Sequence, residues 1–386
     1  MKDTLTLSNR ETLAYASEQL REHVSLKSEG YQCTTEQLLD VLLGVAVYQG
    51  TLESVCKELT DVCDAETMRV YINEQLTTAG LPALEAGLNR ALQAEIPRRV
   101  LRRAQDVAMD FHDRPYYGKV EQSQGLWVRG KAKDGTTRFY RVATAYVIFK
   151  DLRYTLGITF VFPGDSTTEV LQRLTAKIQT LGIQIRRLLL DRGFAGIDVL
   201  DYLQQEQIPA LIACPIRGKH GGTRALCQGR KSYRTQYTFR SKGGQHTAEL
   251  AVCRVFTTAK RTKRLKRRAT WWVFILIHLD MTPKQVRRFY RRRFGIETSY
   301  RCANKVRGWT TSRNPAYRFF LMAIPFFLLN VWLTLRWLFT QVPRKGGRFL
   351  DIELFQLNRF ANFITHALER HYGYVRQIAA IAPPLT

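Results

Sequence analysis

The 386-residue sequence predicts an α/β protein: a mixed β-sheet flanked by helices, with an antiparallel β insertion and an N-terminal helical domain. Two observations predict this class. After residue 98, three β-type segments are followed by alternating helical and β-type segments, which indicates a sheet covered by helices. Before residue 98, apolar residues recur at helical spacing behind Ser or Thr at helix starts. An apolar content of 45% is typical of a globular chain.

These patterns divide the chain into five predicted segments. They are a helical N-terminal domain (1–97), the first part of a sheet core (98–213), a basic β-rich insertion (214–270), the second part of the core (271–345) and a helical tail (346–386).

The N-terminal domain contains a predicted helix after the Thr34-Thr35-Glu36-Gln37 start, then two short amphipathic helices on either side of residues 62–64. This pair is either a DNA-reading helix-turn-helix or part of an ordinary bundle. The second helix offers only Arg69 as a basic side chain, so the pattern does not decide between them.

The core is predicted from apolar and β-branched runs separated by turn residues. Predicted strands cover 107–109, 139–149, 156–162, 185–190, 210–213 and 272–279, and predicted helices cover 167–181, 199–205 and 283–306. Short alternating stretches in the insertion predict antiparallel strands there.

The charge distribution predicts a polyanionic partner. The net charge is +26, yet residues 1–100 hold 9 Lys and Arg against 15 Asp and Glu, so the excess lies after residue 100. The insertion alone holds 16 basic residues and one acid, Glu249. Basic residues interleaved with Tyr and Phe favour a surface that grips a phosphate backbone, the alternative being a solvated loop. Trp271 and Trp272 beside it either stack an unpaired base or belong to the core.

An anionic membrane is the competing partner. Residues 319–339 are long and apolar enough for a span, but they contain Pro325, Asn330 and Arg336. We therefore predict a buried core helix and no membrane partner.

Seven cysteines without a CxxC pair predict reduced thiols rather than disulfides or a zinc site. The N-terminus lacks the apolar stretch of a signal peptide, so we predict a cytoplasmic protein, associated with the nucleoid.

Three acidic residues occupy positions that suit a catalytic or metal-binding role. Asp110 and Asp191 each follow a predicted buried strand, where a carboxylate is held by rigid backbone. Asp191 has an alternative role as a turn or helix cap, and Asp106 and Asp113 compete with Asp110. Glu297 is the only acid between Asp280 and Asp351.

Glu297 lies in the predicted basic helix 283–306. Tyr290, Arg293 and Glu297 have the spacing i, i+3 and i+7, which places them on one face of a continuous helix, and Arg301 continues that face. The alternative role for this lone carboxylate is a salt-bridge acceptor among the surrounding Lys and Arg. Its alignment with Tyr and Arg favours a site for metal and phosphate.

The spacing Tyr290-x2-Arg293-x3-Glu297 resembles the YREK signature of insertion-sequence transposases of the DDE class. The segments MDFHDRPYYGK at Asp110 and LLLDRGF at Asp191 are also similar to theirs, as is a β-rich insertion before the Glu helix. The resemblance covers about residues 100–340. It departs at the Lys of the signature, where the chain has Asn304 with Lys305 alongside.

The resemblance implies a ribonuclease H-like core in which Asp110, Asp191 and Glu297 hold two Mg²⁺ ions, with Mn²⁺ as a substitute. It also implies cleavage and 3′-hydroxyl strand transfer on double-stranded DNA, namely the terminal inverted repeats and the target, by a homodimer. The DNA-binding residues it implies are Tyr290, Arg293, Arg301, Lys305, Arg264, Arg267 and Arg268. Two alternatives stay open: a nuclease or integrase with the same core, and a non-catalytic or domesticated DNA-binding protein.

Overall fold

The computed structural model describes residues 6–26, 33–120, 124–148, 152–241, 244–261, 264–344 and 347–378, without the side chains of 257–261, 264–268, 343–344 and 347–348. The helices are α1 (Asn9–His23), α2 (Thr35–Val47), α3 (Leu52–Glu58), α4 (Ala65–Gln75), α5 (Leu81–Ala94), α6 (Arg98–Leu101), α7 (Thr167–Thr180), α8 (Ile197–Gln205), α9 (Pro283–Tyr290), α10 (Gly295–Ala303), α11 (Pro315–Phe339) and α12 (Leu357–Tyr372). The strands are β1 (Gln105–Pro115), β2 (Val128–Lys133), β3 (Thr136–Val147), β4 (Thr155–Val161), β5 (Ile185–Leu190), β6 (Ala210–Cys214), β7 (Tyr233–Ser241), β8 (Gly244–Arg261), β9 (Arg264–Ile277), β10 (Gln341–Arg344) and β11 (Gly347–Leu350).

Helix starts follow local capping chemistry. Ser166 and Glu169 form a reciprocal capping box at α7, and Thr282 with Gln285 forms another at α9. Thr34 caps α2 by accepting from the backbone N–H of Gln37. These contacts satisfy amide groups that a helix leaves free at its first turn, so sequence alone locates these starts.

The chain divides into two compact units. The helical unit comprises Met1–Ile96, Pro115–Tyr140 and Tyr300–Thr386, and the sheet unit comprises Pro97–Arg114 and Arg141–Ser299. Both units are assembled from separated stretches of chain, whereas the five predicted segments follow the chain in order.

The long apolar helix α11 lies in the core of the helical unit. Its most apolar stretch of 18 residues has a mean hydropathy of 1.7, which is enough for a membrane span, but 83% of that stretch is buried by protein. Two polar residues within it have protein partners: Asn330 donates to the Leu92 carbonyl at 2.9 Å and Thr334 to the Glu95 carbonyl at 3.0 Å. The prediction of a buried core helix is confirmed.

One mixed sheet dominates the sheet unit. Its strands run in the order β3-β1-β5-β6-β9-β8-β7, with β4 paired to β3. The β1/β5 and β5/β6 pairs are parallel, and the other strand pairs with a described register here are antiparallel. The start of β3 pairs with β2 within the helical unit. The predicted class, a mixed sheet with helices, an antiparallel insertion and an N-terminal helical region, is confirmed.

Two strands are longer than predicted. β9 runs without a break through the predicted insertion boundary at residue 270 and pairs with both β8 and β6. The insertion is therefore a continuation of the core sheet. β1 extends to Pro115, so Asp110 lies inside this strand rather than after it.

The predicted single helix 283–306 is wrong in one respect, because the structure breaks it into α9, a 3₁₀ turn (Arg291–Phe294) and α10. A 3₁₀ turn rotates about 120° per residue against about 100° in an α-helix. Four residues therefore shift the side-chain direction by roughly 80°. Tyr290 precedes the whole turn, so its direction relative to Glu297 shifts by that amount, whereas Arg293 lies within the turn and its direction relative to Glu297 shifts by roughly half as much.

Candidate active site

Asp110 and Asp191 are held side by side by the pairing of two parallel strands. Met109 of β1 is in register with Leu190 of β5, and each aspartate follows one of these residues. β5 ends at Leu190, so β1 continues past its neighbour at this point. Both carboxylates therefore lie at the end of β5.

Each aspartate also accepts a local backbone hydrogen bond. The N–H of Phe111 donates to Oδ1 of Asp110 at 2.9 Å, and the N–H of Arg192 donates to Oδ1 of Asp191 at 2.7 Å. Asp191 thus caps the 3₁₀ turn Arg192–Phe194, as the alternative sequence interpretation proposed. Capping uses only part of a carboxylate's acceptor capacity, so it leaves Asp191 able to bind a cation.

A guanidinium group joins the two aspartates. Nη2 of Arg293 lies 3.4 Å from Oδ2 of Asp110 and 3.3 Å from Oδ1 of Asp191. The Arg293 side chain is only 6% exposed. The two carboxylates therefore favour a positive charge between them, and the guanidinium of Arg293 provides it.

The backbone around Arg293 is held by two tyrosines. The hydroxyl of Tyr146 donates to the Arg293 carbonyl at 3.0 Å, and that of Tyr290 donates to the Leu190 carbonyl at 3.3 Å. Tyr290 also packs against Phe274, and burial raises its pKa to about 12. Tyr290 thus links the α9 end to the end of β5, beside Asp191.

Two phenylalanines join the two acid segments. Phe111 follows Asp110, and Phe194 lies three residues after Asp191; their rings stack with centroids 4.9 Å apart at an interplanar angle of 9°. Phe194 is completely buried. The stack fixes the separation of the two backbones that carry the acids.

The local environment raises the pKa of Asp110 to about 6. Burial is the largest cause, and the charges of Asp191 and Glu297 add to it, while Arg293 opposes it. An aspartyl pKa raised from 3.8 means that the folded state holds the proton more tightly than the unfolded state. Stability therefore falls as pH rises from about 4 to about 6.

We expect Asp110→Asn to stabilise the metal-free protein increasingly over this range. The full difference between pH 4 and pH 7 is on the order of 3 kcal/mol, because each unit of pKa shift corresponds to about 1.4 kcal/mol. Urea unfolding of both proteins at several pH values measures it. A difference that stays constant with pH would contradict the assignment.

The three aspartates near residue 110 have different partners. Asp106 is buried and pairs with Arg186, Arg187 and Arg292. Asp113 pairs with Arg141, at 2.6 and 2.9 Å. Only Asp110 shares a cation with Asp191, so the geometry distinguishes it from the other two.

Glu297 stands apart from this pair in the structure. Its side chain is exposed, and its charge acts on Asp110 without a direct contact being described. Among the described residues, the structure brings together no group of three His, Cys, Asp or Glu side chains that could hold a metal ion. The structure therefore brings Asp110 and Asp191 together. Glu297 lies near enough for its charge to act on Asp110, but the three predicted metal ligands do not form one group in the described structure.

The remaining predicted DNA-binding residues lie in several places. Arg301 and Lys305 are exposed and belong to the helical unit, and α10 ends at Ala303, so Lys305 follows the helix instead of continuing its face. Arg264, Arg267 and Arg268 lie on β9, and their side chains are outside the described residues. Trp271 and Trp272 are half-buried on the same strand.

Sequence reasoning missed the Phe111–Phe194 stack, the Tyr146 contact and the role of Asp106. A signal existed for the first: each acid segment, MDF and DRGF, carries a phenylalanine shortly after its aspartate. Tyr146 and Asp106 gave no such signal, because their partners lie far away along the chain.

Comparison with known proteins identifies the family of this chain. The model of the transposase DDE domain matches residues 107–330. Among solved structures, the chain resembles a piggyBac transposase in a synaptic complex with hairpin DNA, with a TM-score of 0.54 and 9% identity over 93% of this chain and 76% of that one. The sequence has no significant match among curated proteins. At 9% identity, that structural likeness shows a shared fold and no more. Since the family model covers more than half of its length, the chain belongs to the transposase DDE domain family.

Proposed function

We propose that this protein cuts DNA at the ends of an insertion sequence and joins the freed 3′-hydroxyl to target DNA. One observation carries the proposal: Asp110, within β1, and Asp191, directly after the parallel strand β5, share a single cationic nitrogen. Paired carboxylates on rigid backbone are suited to binding divalent cations, and the family match connects the pair with DNA strand chemistry.

The donor set fits Mg²⁺. Asp110, Asp191 and Glu297 offer only oxygen, which hard cations prefer, and the guanidinium of Arg293 stands where a cation is favoured. Two Mg²⁺ ions, or Mn²⁺ in their place, would supply activation of the attacking oxygen and stabilisation of the leaving oxygen. Glu297 would complete the set through a change of its exposed side chain or of the 3₁₀ turn before it.

Arg293 has a second task in this proposal. With the aspartates bound to Mg²⁺, its guanidinium would be available to bind the phosphate at the cut through two parallel hydrogen bonds. Tyr290 positions it by holding the end of α9 to the end of β5. The exposed Arg301 and Lys305 bind flanking phosphates.

The partner is double-stranded DNA, comprising terminal inverted repeats and a target. The net charge of +26 supports this, and so does the basic insertion with Arg264, Arg267 and Arg268. We propose a homodimer on DNA that acts in the cytoplasm at the nucleoid. The structural neighbour is a transposase in a synaptic complex with hairpin DNA, which supports a DNA-bound assembly for this chain.

Purified full-length protein tests the proposal when incubated with duplex DNA carrying the element's end and Mg²⁺. We expect cleavage at the element end and joining of the labelled end to a plasmid, both lost in EDTA and restored by Mn²⁺. Cleavage without joining would favour a nuclease. Binding without either reaction would favour the non-catalytic alternative.

Glu297→Gln separates the catalytic function from that alternative. We expect a fall in cleavage of about 100-fold or more, because a cation ligand is lost from the reacting centre. The melting temperature should not change, since the side chain is exposed. A variant that cleaves like wild type would show that Glu297 is only a surface residue.

A further inference from the structure

A second cationic site lies on the sheet unit, centred on Asp106. The Asp106 side chain is 1% exposed, and it accepts from Nε of Arg186 at 2.9 Å and from Nη2 of Arg187 at 2.8 Å. Nη1 of Arg292 lies 3.3 Å from the same carboxylate. Hydrogen bonds from Arg186 and Arg187 hold the pKa of Asp106 below its usual value, although burial opposes them. One buried negative charge thus organises three positive charges, which we call the Asp106 cluster.

The Asp106 cluster has more positive charge than its carboxylate can neutralise. A carboxylate offers about four acceptor positions, whereas three guanidinium groups carry about fifteen N–H donors. The Arg186 and Arg292 side chains are 49% and 43% exposed. Two positive charges therefore remain in excess, on groups that reach solvent.

The ring of Phe289 contacts two of these arginines. The guanidinium carbon of Arg187 lies 3.8 Å from the ring centre of Phe289, and that of Arg292 lies 5.3 Å from it. Contact with the ring and with Asp106 limits the motion of long side chains. A pre-positioned planar guanidinium loses less entropy when it binds a phosphate.

The Asp106 cluster is connected to the candidate active site through two elements. Asp106 precedes Asp110 by four residues on β1, a distance of about 13 Å in a strand. Arg292 and Arg293 are neighbours in the same 3₁₀ turn, one pairing with Asp106 and the other with Asp110 and Asp191. Charges on one DNA strand recur about every 3.4 Å along the axis. A duplex whose axis runs along β1 would therefore bring its backbone to the Asp106 cluster about four nucleotides from the acids.

We infer that the Asp106 cluster binds the DNA phosphate backbone a few nucleotides from the cut, with Arg186 and Arg292 as the contacting residues and Asp106 and Phe289 as positioning residues. This inference rests on the proposed function. It assigns contacts to phosphate only, so they should be independent of base sequence.

The salt dependence of DNA binding tests the inference. Fluorescence anisotropy of wild-type protein and the Arg186→Ala/Arg292→Ala variant is measured on end-containing and random duplexes of equal length, over a range of salt concentrations. Each lost phosphate contact should reduce the slope of log affinity against log salt by about 0.9, so the double variant should lose about 1.8 on both duplexes. An Arg186→Lys/Arg292→Lys variant, which keeps the charges, should retain the slope.

Arg173→Ala is the matched control. Arg173 also lies in the sheet unit, pairs with one aspartate, Asp165, and covers a phenylalanine ring, Phe162, at 5.9 Å. It belongs to a one-to-one ion pair, so its loss should leave the slope unchanged. If circular dichroism shows that the double alanine variant is unfolded, the single variants replace it, each with an expected loss of about 0.9.

The outcomes separate the inference from the proposed function. An unchanged slope in the alanine variants, with normal wild-type binding, overturns the inference alone. A loss confined to the end-containing duplex also overturns it, because that result indicates base reading. Wild-type protein that binds neither duplex contradicts the proposed function itself.

Discussion

Asp191→Asn is expected to abolish DNA cleavage, with a rate at least about 1,000-fold below wild type. Asparagine has the same shape, and its side-chain oxygen can still accept from the Arg192 backbone, so the 3₁₀ turn keeps its cap. Only the negative charge is removed. Asp110→Asn should have the same effect, because the two aspartates share one cation position. Single-turnover cleavage of end DNA in Mg²⁺ measures both rates.

Asp113→Asn is the matched control for these variants. Asp113 lies three residues after Asp110 on β1 and is paired with Arg141 instead of Arg293. We expect it to retain cleavage within about tenfold of wild type, since surface and half-buried ion pairs contribute little. If Asp113→Asn were inactive and Asp110→Asn active, the first acid of the site would be Asp113, and the geometry described above would not be the reactive one.

Arg293→Met is expected to lower the free energy of unfolding by about 2–4 kcal/mol in metal-free buffer. Removing one partner from a buried ion pair leaves the other charge uncompensated, and here two carboxylates lose the same cation. Methionine keeps most of the side-chain volume, so packing against Tyr290 changes little. Urea unfolding with EDTA present measures the loss.

Mg²⁺ should reverse much of this loss. In wild type the guanidinium competes with a divalent cation for the same oxygens, whereas in Arg293→Met the position is free. A ligand that binds the folded state stabilises it in proportion to the logarithm of its concentration over Kd. The rise in melting temperature with Mg²⁺ should therefore be larger for the variant. Equal rises in both proteins would show that Arg293 and the metal occupy separate positions.

Arg141→Met serves as the comparison for this experiment. Arg141 forms a two-point ion pair with Asp113 and lies over the Phe111 ring at 5.4 Å. Its loss also removes an ion pair and a ring contact from the sheet unit. It should not change the response to Mg²⁺, because among the described residues Arg141 forms an ion pair with one carboxylate, that of Asp113.

Local features of the sequence determined the elements of this protein. Capping residues such as Ser166 and Thr282 define helix starts through contacts with amides three residues away. Apolar runs located the strand that contains Asp110 and the strand that ends just before Asp191. The motif around Tyr290, Arg293 and Glu297 identified the family, because it depends only on spacing.

Tertiary structure decided which charged groups meet. Asp106, Asp110 and Asp113 are close in sequence, yet each pairs with different arginines, and those partners come from strands or turns 28 to 186 residues away in sequence. The break in the helix at Arg291–Phe294 also depends on distant partners. The sequence keeps its helical periodicity through these residues, but in the structure Arg292 and Arg293 pair with aspartates on β1. The helical periodicity of a sequence depends only on residues that are close along the chain. Ion pairs between distant elements form only when the sheet is assembled, so spacing along the chain cannot determine them.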